Sequence, residues 1–437
     1  MKNIFIIIFF SFISLFSSAQ WPKYDVTVYD ASSTEGYYFL STGPDMIIMD
    51  NIGSPVFYRH GRPCLHFTMQ PNGIMTYADT RQVYFMDSTF TVFDSISCKN
   101  NYDTDSHDFR IMPNGHFLLL GAETIKTDLS HYNFTNGKGS DTANIRYAVI
   151  QEQDANRNVV FEWHAKDYFN FDDADTSFFH LSAFGDIMHS NALELDHDGN
   201  LLLCSRNLNE VTKINRTDGS IMWHFGGKRN QFKFVNCPVP FYGQHDIRRI
   251  NNGHVTLYDN GINIVSHGAR AMEFDLDEKN KIAILKWSYT YDPAKYSEGK
   301  GNVQRLKNSN TLINFGGLGN DNICFAVVDS NGKKLSQVNN IHSNRVTNFP
   351  SLPWQLHRPQ ITCFDSLGMM YLKTTKDYTS YQWSDSSHAR IIPVTKPGLY
   401  YVFVPYGQGG YISSEKFIIT DISHPCEALP VKKKYKK

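Results

Sequence analysis

Two stretches of the chain share one plan, and this plan decides the fold. "SHDFRIMPNGHFLLLG" runs from Ser106 to Gly121, and "FYGQHDIRRINNGHVTLYDNG" runs from Phe241 to Gly261. In each, a His-Asp pair opens an alternating apolar segment, an Asn-Gly turn follows, and a second apolar segment comes after the turn. Apolar alternation on both sides of an Asn-Gly turn predicts a β-hairpin. The two stretches therefore predict an all-β protein built from repeated hairpins.

Similar hairpins recur along the chain, and tryptophan-bearing segments lie between them. The other hairpins begin at His66, Ala192 and Asn302, and the segments with tryptophan begin at Asn158, Ser220 and Ala283. The turns at Gly73 and Gly115 lie 42 residues apart. Four-stranded units at this period predict a β-propeller, because one such sheet cannot bury both of its faces alone. Five hairpins and one degenerate unit from Ile125 to Asp167 predict six blades, with seven as the alternative.

The start of the chain predicts an exported protein. A basic beginning is followed by an apolar segment from Ile4 to Phe16 and by the small residues of "SSAQ" at 17–20. This order is typical of a signal peptide, here residues 1–19. The alternative is an uncleaved anchor, but the apolar segment is shorter than the ~20 residues that span a bilayer. We therefore expect a protein that is periplasmic, secreted or on the cell surface, without membrane insertion after cleavage.

The remaining boundaries follow from where the repeat ends. Residues 20–349 form the predicted propeller, and "PSLPWQLHRPQ" at 350–360 contains three prolines and reads as a linker. Short alternating strands over 361–425 predict a small sandwich of immunoglobulin type. Residues 426–437 end in the basic run "KKKYKK", which we interpret as a solvated tail.

Composition excludes some partners and leaves the cysteines open. The chain has 42 Lys and Arg against 43 Asp and Glu, so it lacks the basic excess that a nucleic-acid partner requires. The seven cysteines contain no CxxC pair and suggest no cysteine-based metal site. Some can form disulfides in an exported chain, but an odd number leaves at least one outside any internal pair.

Three histidines occupy equivalent places in different hairpins. His107, His189 and His245 each precede their turn by a similar distance, so in a propeller they start innermost strands and converge on one axial mouth. The hairpin after His189 folds Arg206 back to lie opposite that histidine. The pattern predicts three imidazoles and one guanidinium around a site for an anion, because a buried Arg without an anionic partner is costly.

The aspartates of the two His-Asp pairs have a different predicted role. Strand alternation turns Asp108 and Asp246 away from their histidines, so they support the backbone or the site residues. Five other histidines are interpreted as structural: His66, His116, His224, His254 and His267.

A zinc site is the main alternative for the three histidines. Three neutral imidazoles can hold zinc with one open position. Arg206 argues against it, because a guanidinium beside a dication is repulsive unless an anion bridges them. The His-Asp pairs of metal phosphohydrolases are expected on helices, whereas these lie on predicted strands. We therefore expect no metal and no cofactor.

Four motifs carry a resemblance to a known family. They are "DSHDFRIMPNGHFLLL", "MHSNALELDHDGNLLLCSRNLNEVTKINRTDGSIMWHFGGKRNQF", "GQHDIRRINNGHVTLYDNG" and "GNVQRLKNSNTLI". In this order they resemble the motifs of the bacterial arylsulfate sulfotransferase family, over roughly Tyr24 to Asn348. The resemblance implies a six-bladed propeller that moves a sulfuryl group from a phenolic ester to a phenol without a nucleotide sulfate donor.

The resemblance also implies roles for the four residues. His245 of "QHD" takes the place of the nucleophile that becomes transiently sulfated. His107 of "SHDF", His189 of "HSN" and Arg206 of "SRN" take the places of the groups that hold the sulfuryl oxygens. The aromatic residues Phe184, Phe241 and Tyr242 flank these motifs, where they either stack a phenol or pack the core.

The sequence therefore predicts an aryl-sulfate sulfotransferase that works through a sulfohistidine, with a phenolic sulfate donor and a phenol acceptor. Two alternatives stay open. One is a propeller that binds sulfated or anionic ligands without turnover, and the other is an aryl sulfatase that transfers to water.

Overall fold

The computed structural model describes residues 21–30, 32–134, 137–178, 183–262, 268–291, 294–318, 322–423 and 426. The predicted signal peptide and all of the predicted tail except Cys426 lie outside the described residues. Across the described ranges, every helix is too short or too polar to cross a membrane.

Strands make up almost all of the regular structure. The first half of the chain contains β1 (Asp25–Tyr29), β2 (Tyr37–Ser41), β3 (Gly43–Asp50), β4 (Pro55–Cys64), β5 (His66–Met69), β6 (Met75–Ala78), β7 (Val83–Met86), β8 (Val92–Ile96), β9 (Asp103–Ile111), β10 (Phe117–Thr127), β11 (Asn133–Phe134), β12 (Gly137–Lys138), β13 (Ala143–Gln153), β14 (Val159–His164), β15 (Phe184–Asp186), β16 (Ser190–Leu195), β17 (Leu201–Ser205) and β18 (Glu210–Ile214). Short 3-10 helices cover Ala165–Asp167, Phe171–Asp173, Thr176–Phe178 and Arg206–Leu208.

The second half continues with strands alone among the described residues. They are β19 (Ile221–Gly226), β20 (Lys233–Val235), β21 (His245–Arg249), β22 (Val255–Asp259), β23 (Arg270–Asp277), β24 (Ile282–Thr290), β25 (Asn302–Arg305), β26 (Thr311–Asn314), β27 (Ile323–Val328), β28 (Lys334–Asn339), β29 (Val346–Phe349), β30 (Ile361–Ser366), β31 (Met369–Thr374), β32 (Gln382–Trp383), β33 (Ile391–Pro393), β34 (Gly398–Tyr400), β35 (Val402–Tyr406), β36 (Gly410–Ser413) and β37 (Phe417–Ile419).

Six antiparallel four-stranded units follow one another over residues 37–349 of the described chain. Sheet 1 has the order β29-β2-β3-β4, sheet 2 β5-β6-β7-β8, sheet 3 β9-β10-β13-β14, sheet 4 β16-β17-β18-β19, sheet 5 β21-β22-β23-β24 and sheet 6 β25-β26-β27-β28. Strands β15, β20 and β1 add to sheets 3, 5 and 6, respectively. The strand at the start of each order is called its first strand below.

The five predicted hairpins are confirmed as the first two strands of sheets 2 to 6. The turn of sheet 3 shows why the sequence folds this way. Gly115 has a φ of 81°, a conformation that costs glycine little. The Asn114 side chain accepts the His116 N–H at 3.1 Å, which fixes the turn next to Gly115.

The prediction of a degenerate blade over Ile125 to Asp167 is wrong. Ile125 lies within β10, which continues past its hairpin and pairs with β13 along its whole length. Strands β13 and β14 are therefore the third and fourth strands of sheet 3. The sixth unit is instead sheet 1, in which β29 from the end of the repeat pairs with β2 near its beginning.

Apolar layers fill the spaces between neighbouring sheets. Leu201 and Leu203 of β17 pack toward sheet 3, whereas Leu202 and Cys204 pack toward sheet 5. Successive side chains of a strand point to opposite faces, so a strand covered on both faces must be apolar throughout. This requirement explains the continuous "LLLC" run of β17. The tryptophan-bearing segments are β14, β19 and β24, each the fourth strand of its unit.

Side chains on the first strands join each sheet to the next. In most of these contacts, a side chain on or beside one first strand accepts a backbone N–H from the neighbouring first strand. The accepting side chains and donors are Gln70 and Ile111, Asp108 and Leu193, Asn191 and Asp246, Asp246 and Val303, and Asn302 and Val346. The hydroxyls of Thr347 and Thr68 join sheet 1 to sheet 2. The six first strands thus form a closed cycle.

The C-terminal strands continue sheet 1 beyond its fourth strand. Strand β36 pairs with β4, placing Tyr411 opposite Tyr58, so β36, β35 and β32 extend sheet 1. A separate sheet of β30, β31 and β33 encloses a second core with them, and Cys363 and Cys426 form a disulfide. The predicted linker is also packed, since Arg358 donates to the carbonyls of Ser413 and Pro55.

Candidate active site

The four predicted site residues come together near one end of the first strands. The His107 and His189 rings lie 5.2 Å apart in an edge-to-face arrangement. The Arg206 backbone N–H donates to the carbonyl of His189 at 3.2 Å. His245 lies close enough to His107, His189 and Arg206 for their charges to lower its pKa. Residues from sheets 3, 4 and 5 therefore form one cluster.

His107 does not begin its strand, contrary to the prediction. Its strand, β9, begins at Asp103, and the pairing with β10 jumps from Thr104 to Phe109. His107 therefore lies in an irregular stretch in the middle of the strand, which re-aims its side chain. By contrast, His245 opens β21 and His189 immediately precedes β16.

The backbone around the cluster is strained at three non-glycine residues. His189, Asp246 and Lys300 have φ values of 45°, 60° and 63°. The left-handed region disfavours residues that carry a Cβ, and such conformations persist only where the surroundings impose them. Strain of this kind often accumulates at functional sites.

The contacts of His245 determine which of its ring nitrogens carries the proton. Nδ1 faces the Asn260 Oδ1 at 2.7 Å and the Gly243 carbonyl at 3.1 Å. The Asn260 amide is oriented by its Nδ2, which donates to the Lys300 carbonyl. Both neighbours of Nδ1 are therefore acceptors, and Nδ1 is the donor. Nε2 accepts the Lys300 N–H at 3.2 Å and keeps its lone pair.

His245 is also held neutral. The residue is 5% exposed. Burial and the nearby charges of His189, Arg206 and His107 lower the pKa of His245 well below its ordinary value. A neutral imidazole whose lone pair lies on Nε2 can act as a nucleophile at neutral pH.

His107 has the opposite electrostatic setting. Its Nδ1 lies 2.6 Å from the Asp105 carboxylate, which also pairs with Arg146 at 3.2 Å. Burial opposes the charged form, but Asp105 raises the pKa of His107 above its ordinary value. Nδ1 is engaged with Asp105, so when the ring is protonated on both nitrogens its Nε2–H is available to donate.

His189 and Arg206 supply further donors. The His189 Nδ1 lies 3.3 Å from Asp186. The Arg206 guanidinium donates to two neutral acceptors, the Asn207 Oδ1 at 2.8 Å and the Glu298 carbonyl at 3.0 Å. Burial lowers the pKa of Arg206. Within the described residues Arg206 makes no direct carboxylate ion pair, so its charge is available to an anion.

A buried ion-pair network adjoins the cluster, and sequence reasoning missed its arginines. Arg248 contacts Asp108 and Asp246, at 2.8 Å each, and Arg345 lies 3.3 Å and 3.5 Å from the same two carboxylates. Burial alone would raise the pKa of Asp108, but the arginines lower it well below its usual range. The predicted supporting role of the two aspartates agrees with this geometry. The sequence signal for Arg248 was the motif "HDIR", which repeats "HDFR" at 107–110.

The flanking aromatic residues divide between the site and the core. Phe241 is buried in the layer between sheets 4 and 5, so it packs. Tyr242 lies 5.8 Å from Phe178, whose ring stacks under the Arg206 guanidinium at 4.4 Å. Phe184 is 45% exposed in β15. Of the three predicted aromatic residues, Tyr242 is thus linked to the site through Phe178.

Other histidines have structural partners. His116, His224 and His254 each contact a glutamate through Nδ1 at 2.6–2.7 Å. His66 is buried near Arg345 and Asp108, and burial with the arginine charge lowers its pKa to about 3. His267 lies outside the described residues. In the described part of the chain, no group of three or more His, Cys, Asp or Glu residues is arranged to hold a metal ion.

The family of the chain follows from its sequence profile. The profile described as "Arylsulfotransferase (ASST)" matches residues 26–359, which is most of the chain, and the chain belongs to this family. Membership supports an arylsulfotransferase activity in general, on small-molecule aryl sulfates and phenols. No curated protein matches the chain.

Similar solved structures are distant in sequence. One is a protein of unknown function from Bacteroides caccae, with 12% identity, coverage of 70% of this chain and 94% of that chain, and a TM-score of 0.45. Another is virginiamycin B lyase from Staphylococcus aureus, with 10% identity, coverage of 80% and 96%, and a TM-score of 0.39. At this level of similarity, their activities say nothing about the reaction of this chain.

Proposed function

We propose that the chain is an exported bacterial aryl-sulfate sulfotransferase, a six-bladed propeller with a C-terminal immunoglobulin-like sandwich. Six four-stranded units and the closed cycle of first strands support the propeller. The second core beside sheet 1 supports the sandwich. The disulfide between Cys363 and Cys426 supports export, because disulfides persist mainly in oxidising compartments.

The observation that carries the proposed reaction is the contrast between His245 and its neighbours. His245 is neutral with its lone pair on Nε2, whereas Asp105 raises the pKa of His107 and Arg206 supplies a positively charged donor. A sulfate monoester presents one negative charge spread over three oxygens. Its transfer requires in-line placement and charge stabilisation, as phosphoryl transfer does. The cluster offers both a nucleophile and the groups to hold those oxygens.

In the first step, the Nε2 of His245 attacks the sulfur of a phenolic sulfate ester. The N–S bond forms while the ester S–O bond breaks, and the electron pair of that bond goes to the phenolic oxygen. The sulfuryl group replaces the Lys300 N–H as the partner of Nε2. His189 and Arg206 donate to the sulfuryl oxygens, an arrangement in which one lost donor typically costs ~10²–10³ in rate. The one N–H of His107 that Asp105 leaves free serves the ester oxygen that departs.

Protonation of the departing phenolate falls to His107 in this proposal. An unactivated phenol has a pKa of about 10, so its oxygen requires a proton on leaving. Asp105 raises the pKa of His107, which favours the charged ring that can give up its Nε2 proton. In the second step, the acceptor phenol returns its proton to His107, its oxygen attacks the sulfur, and the N–S electron pair returns to His245. No metal or cofactor takes part.

One assay separates this proposal from its alternatives. The mature protein is mixed with 4-nitrophenyl sulfate, with and without an added phenol, and release of 4-nitrophenol is followed. A transferase releases it only with the phenol, beyond a first stoichiometric burst. Equal steady release without phenol would establish a sulfatase, and no release in either case would favour the binding module.

A further inference from the structure

Arg59 is a buried guanidinium that lies in an apolar layer and makes no ion pair among the described residues. It lies in β4, is 4% exposed and pairs across the sheet with Met46. Met46 belongs to the apolar layer between sheets 1 and 2, and neighbouring strand residues alternate between the two faces. The Arg59 side chain therefore enters that layer, where it stacks over the ring of Tyr77 at 4.8 Å.

The polar ends of this stack have no protein partner in the described ranges. Both terminal nitrogens of Arg59 and the Tyr77 hydroxyl are buried without a hydrogen bond, and Tyr77 is 1% exposed. Stacking on an aromatic ring offsets only part of the cost of burying a charge. A guanidinium carries its charge under all ordinary conditions, so the layer holds an uncompensated cation.

The nearest candidates for a counter-ion are otherwise engaged. Asp45 lies on the opposite face of the strands, across from His60. Its carboxylate accepts hydrogen bonds from the side chains of His60, Tyr58 and Thr42. Cys64 lies close to Arg59, but burial raises the pKa of its thiol to about 12. The thiol is therefore neutral and cannot balance the charge.

We propose that Arg59 and Tyr77 bind a small inorganic anion of the chloride class between sheets 1 and 2. Two guanidinium nitrogens and one hydroxyl supply donors, and buried charges in proteins are generally paired. The site lies on different sheets from His107, His189 and His245. A bound anion there would therefore change the stability of the folded protein, independently of the proposed reaction. The anion would join sheet 1, which closes the cycle, to sheet 2.

The test measures thermal unfolding of the whole mature protein in sodium chloride, sodium sulfate and sodium gluconate at one ionic strength. Gluconate is too large for a closed site and serves as the reference. An anion that binds only the folded state raises the melting temperature with the logarithm of its concentration, by about 1–3 °C per tenfold. We expect this rise in chloride, and the sulfate arm shows whether an oxyanion is also accepted.

Two variants assign the effect to Arg59. Arg59→Met keeps most of the side-chain length without the charge, and we expect it to lose the chloride dependence while melting no lower than wild type in gluconate. Arg229→Met is the matched control, because Arg229 already pairs with Asp173. We expect this variant to keep the chloride dependence of the wild type.

Three results would overturn the proposal. A wild-type melting temperature that is equal in the three salts would mean that water alone satisfies Arg59. Retained chloride dependence in Arg59→Met would place the anion elsewhere. Failure of Arg59→Met to fold in gluconate would also contradict it, since removal of an uncompensated charge should not cost stability.

Discussion

The side-chain amide of Asn260 is the neutral partner of the His245 Nδ1, so Asn260→Asp, which places a negative charge there, should raise the pKa of the nucleophile. The substitution preserves shape and places a carboxylate at the position of Oδ1, 2.7 Å from the His245 Nδ1. The same pairing already exists in the molecule, where Asp105 lies 2.6 Å from His107 and raises the pKa of His107.

The size of the expected shift in the His245 pKa follows from that comparison. A carboxylate in direct contact raises the pKa of a histidine by about 1–3 units. The active form of His245 is the neutral imidazole, which is lost as the pH falls through the pKa of His245. A higher pKa therefore means that activity is lost at a higher pH. The acid limb of kcat/KM should therefore move up by about 1–3 pH units, and below the limb the variant should be about 10–10³ slower than wild type.

The assay is the pH dependence of kcat/KM with 4-nitrophenyl sulfate and saturating phenol. Wild type should show an acid limb well below pH 6.5, from His245, and an alkaline limb above pH 6.5, from His107. In Asn260→Asp the acid limb should approach the alkaline one, and activity should recover as the pH rises through the new His245 pKa.

The control is Asn260→Ala, which removes the acceptor without adding charge. It should lower the rate at every pH and should not move the acid limb to higher pH, because the Asn260 contact itself raises the pKa of His245. An acid limb that does not move in Asn260→Asp would refute the assignment of that limb to His245, and with it the role of His245 as the attacking group.

Four further predictions follow from the site. His245→Ala should lose both turnover and the sulfuryl adduct of about 80 Da on the peptide 241–248, measured by mass spectrometry after quenching with donor alone. His107→Ala should still form the adduct, about 10²–10³ more slowly; an adduct on His107 in wild type would mean that the wrong histidine has been named. Arg206→Lys should lower kcat/KM by ~10-fold or more, because a lysine loses the planar fork of donors, and steady-state kinetics at several donor concentrations would detect it. Chelators should leave activity unchanged, whereas loss on chelation and recovery with zinc would replace the anion site with a metal site.

The local patterns were sufficient to predict the hairpins and the grouping of the site residues. Period-two alternation and Asn-Gly turns are local features, so the hairpin around Gly115 could be read directly. His189 and Arg206 were placed together because a hairpin fixes which residues face each other. These inferences need no knowledge of distant parts of the chain.

The errors concern features that depend on distant or irregular structure. Nothing local at Ile125 shows that β10 continues past its expected end, and the pairing of β29 with β2 joins segments far apart in sequence. The irregular pairing around His107 depends on how β9 fits against β10. Arg345 comes from a segment without a repeat motif, so its contact with Asp108 could not be predicted.

The closure of sheet 1 by β29 has a consequence for the order in which this chain is made. Asn348 donates to the Tyr37 carbonyl across 311 positions of sequence, so sheet 1 cannot be completed until nearly the whole repeat has left the ribosome. Until then, the edge of β2 presents unpaired backbone groups, which are a template for aggregation. Contacts this distant in sequence also form slowly. A nascent chain therefore passes through a long interval with an open edge, during which holding factors in the cell would have the greatest effect on yield.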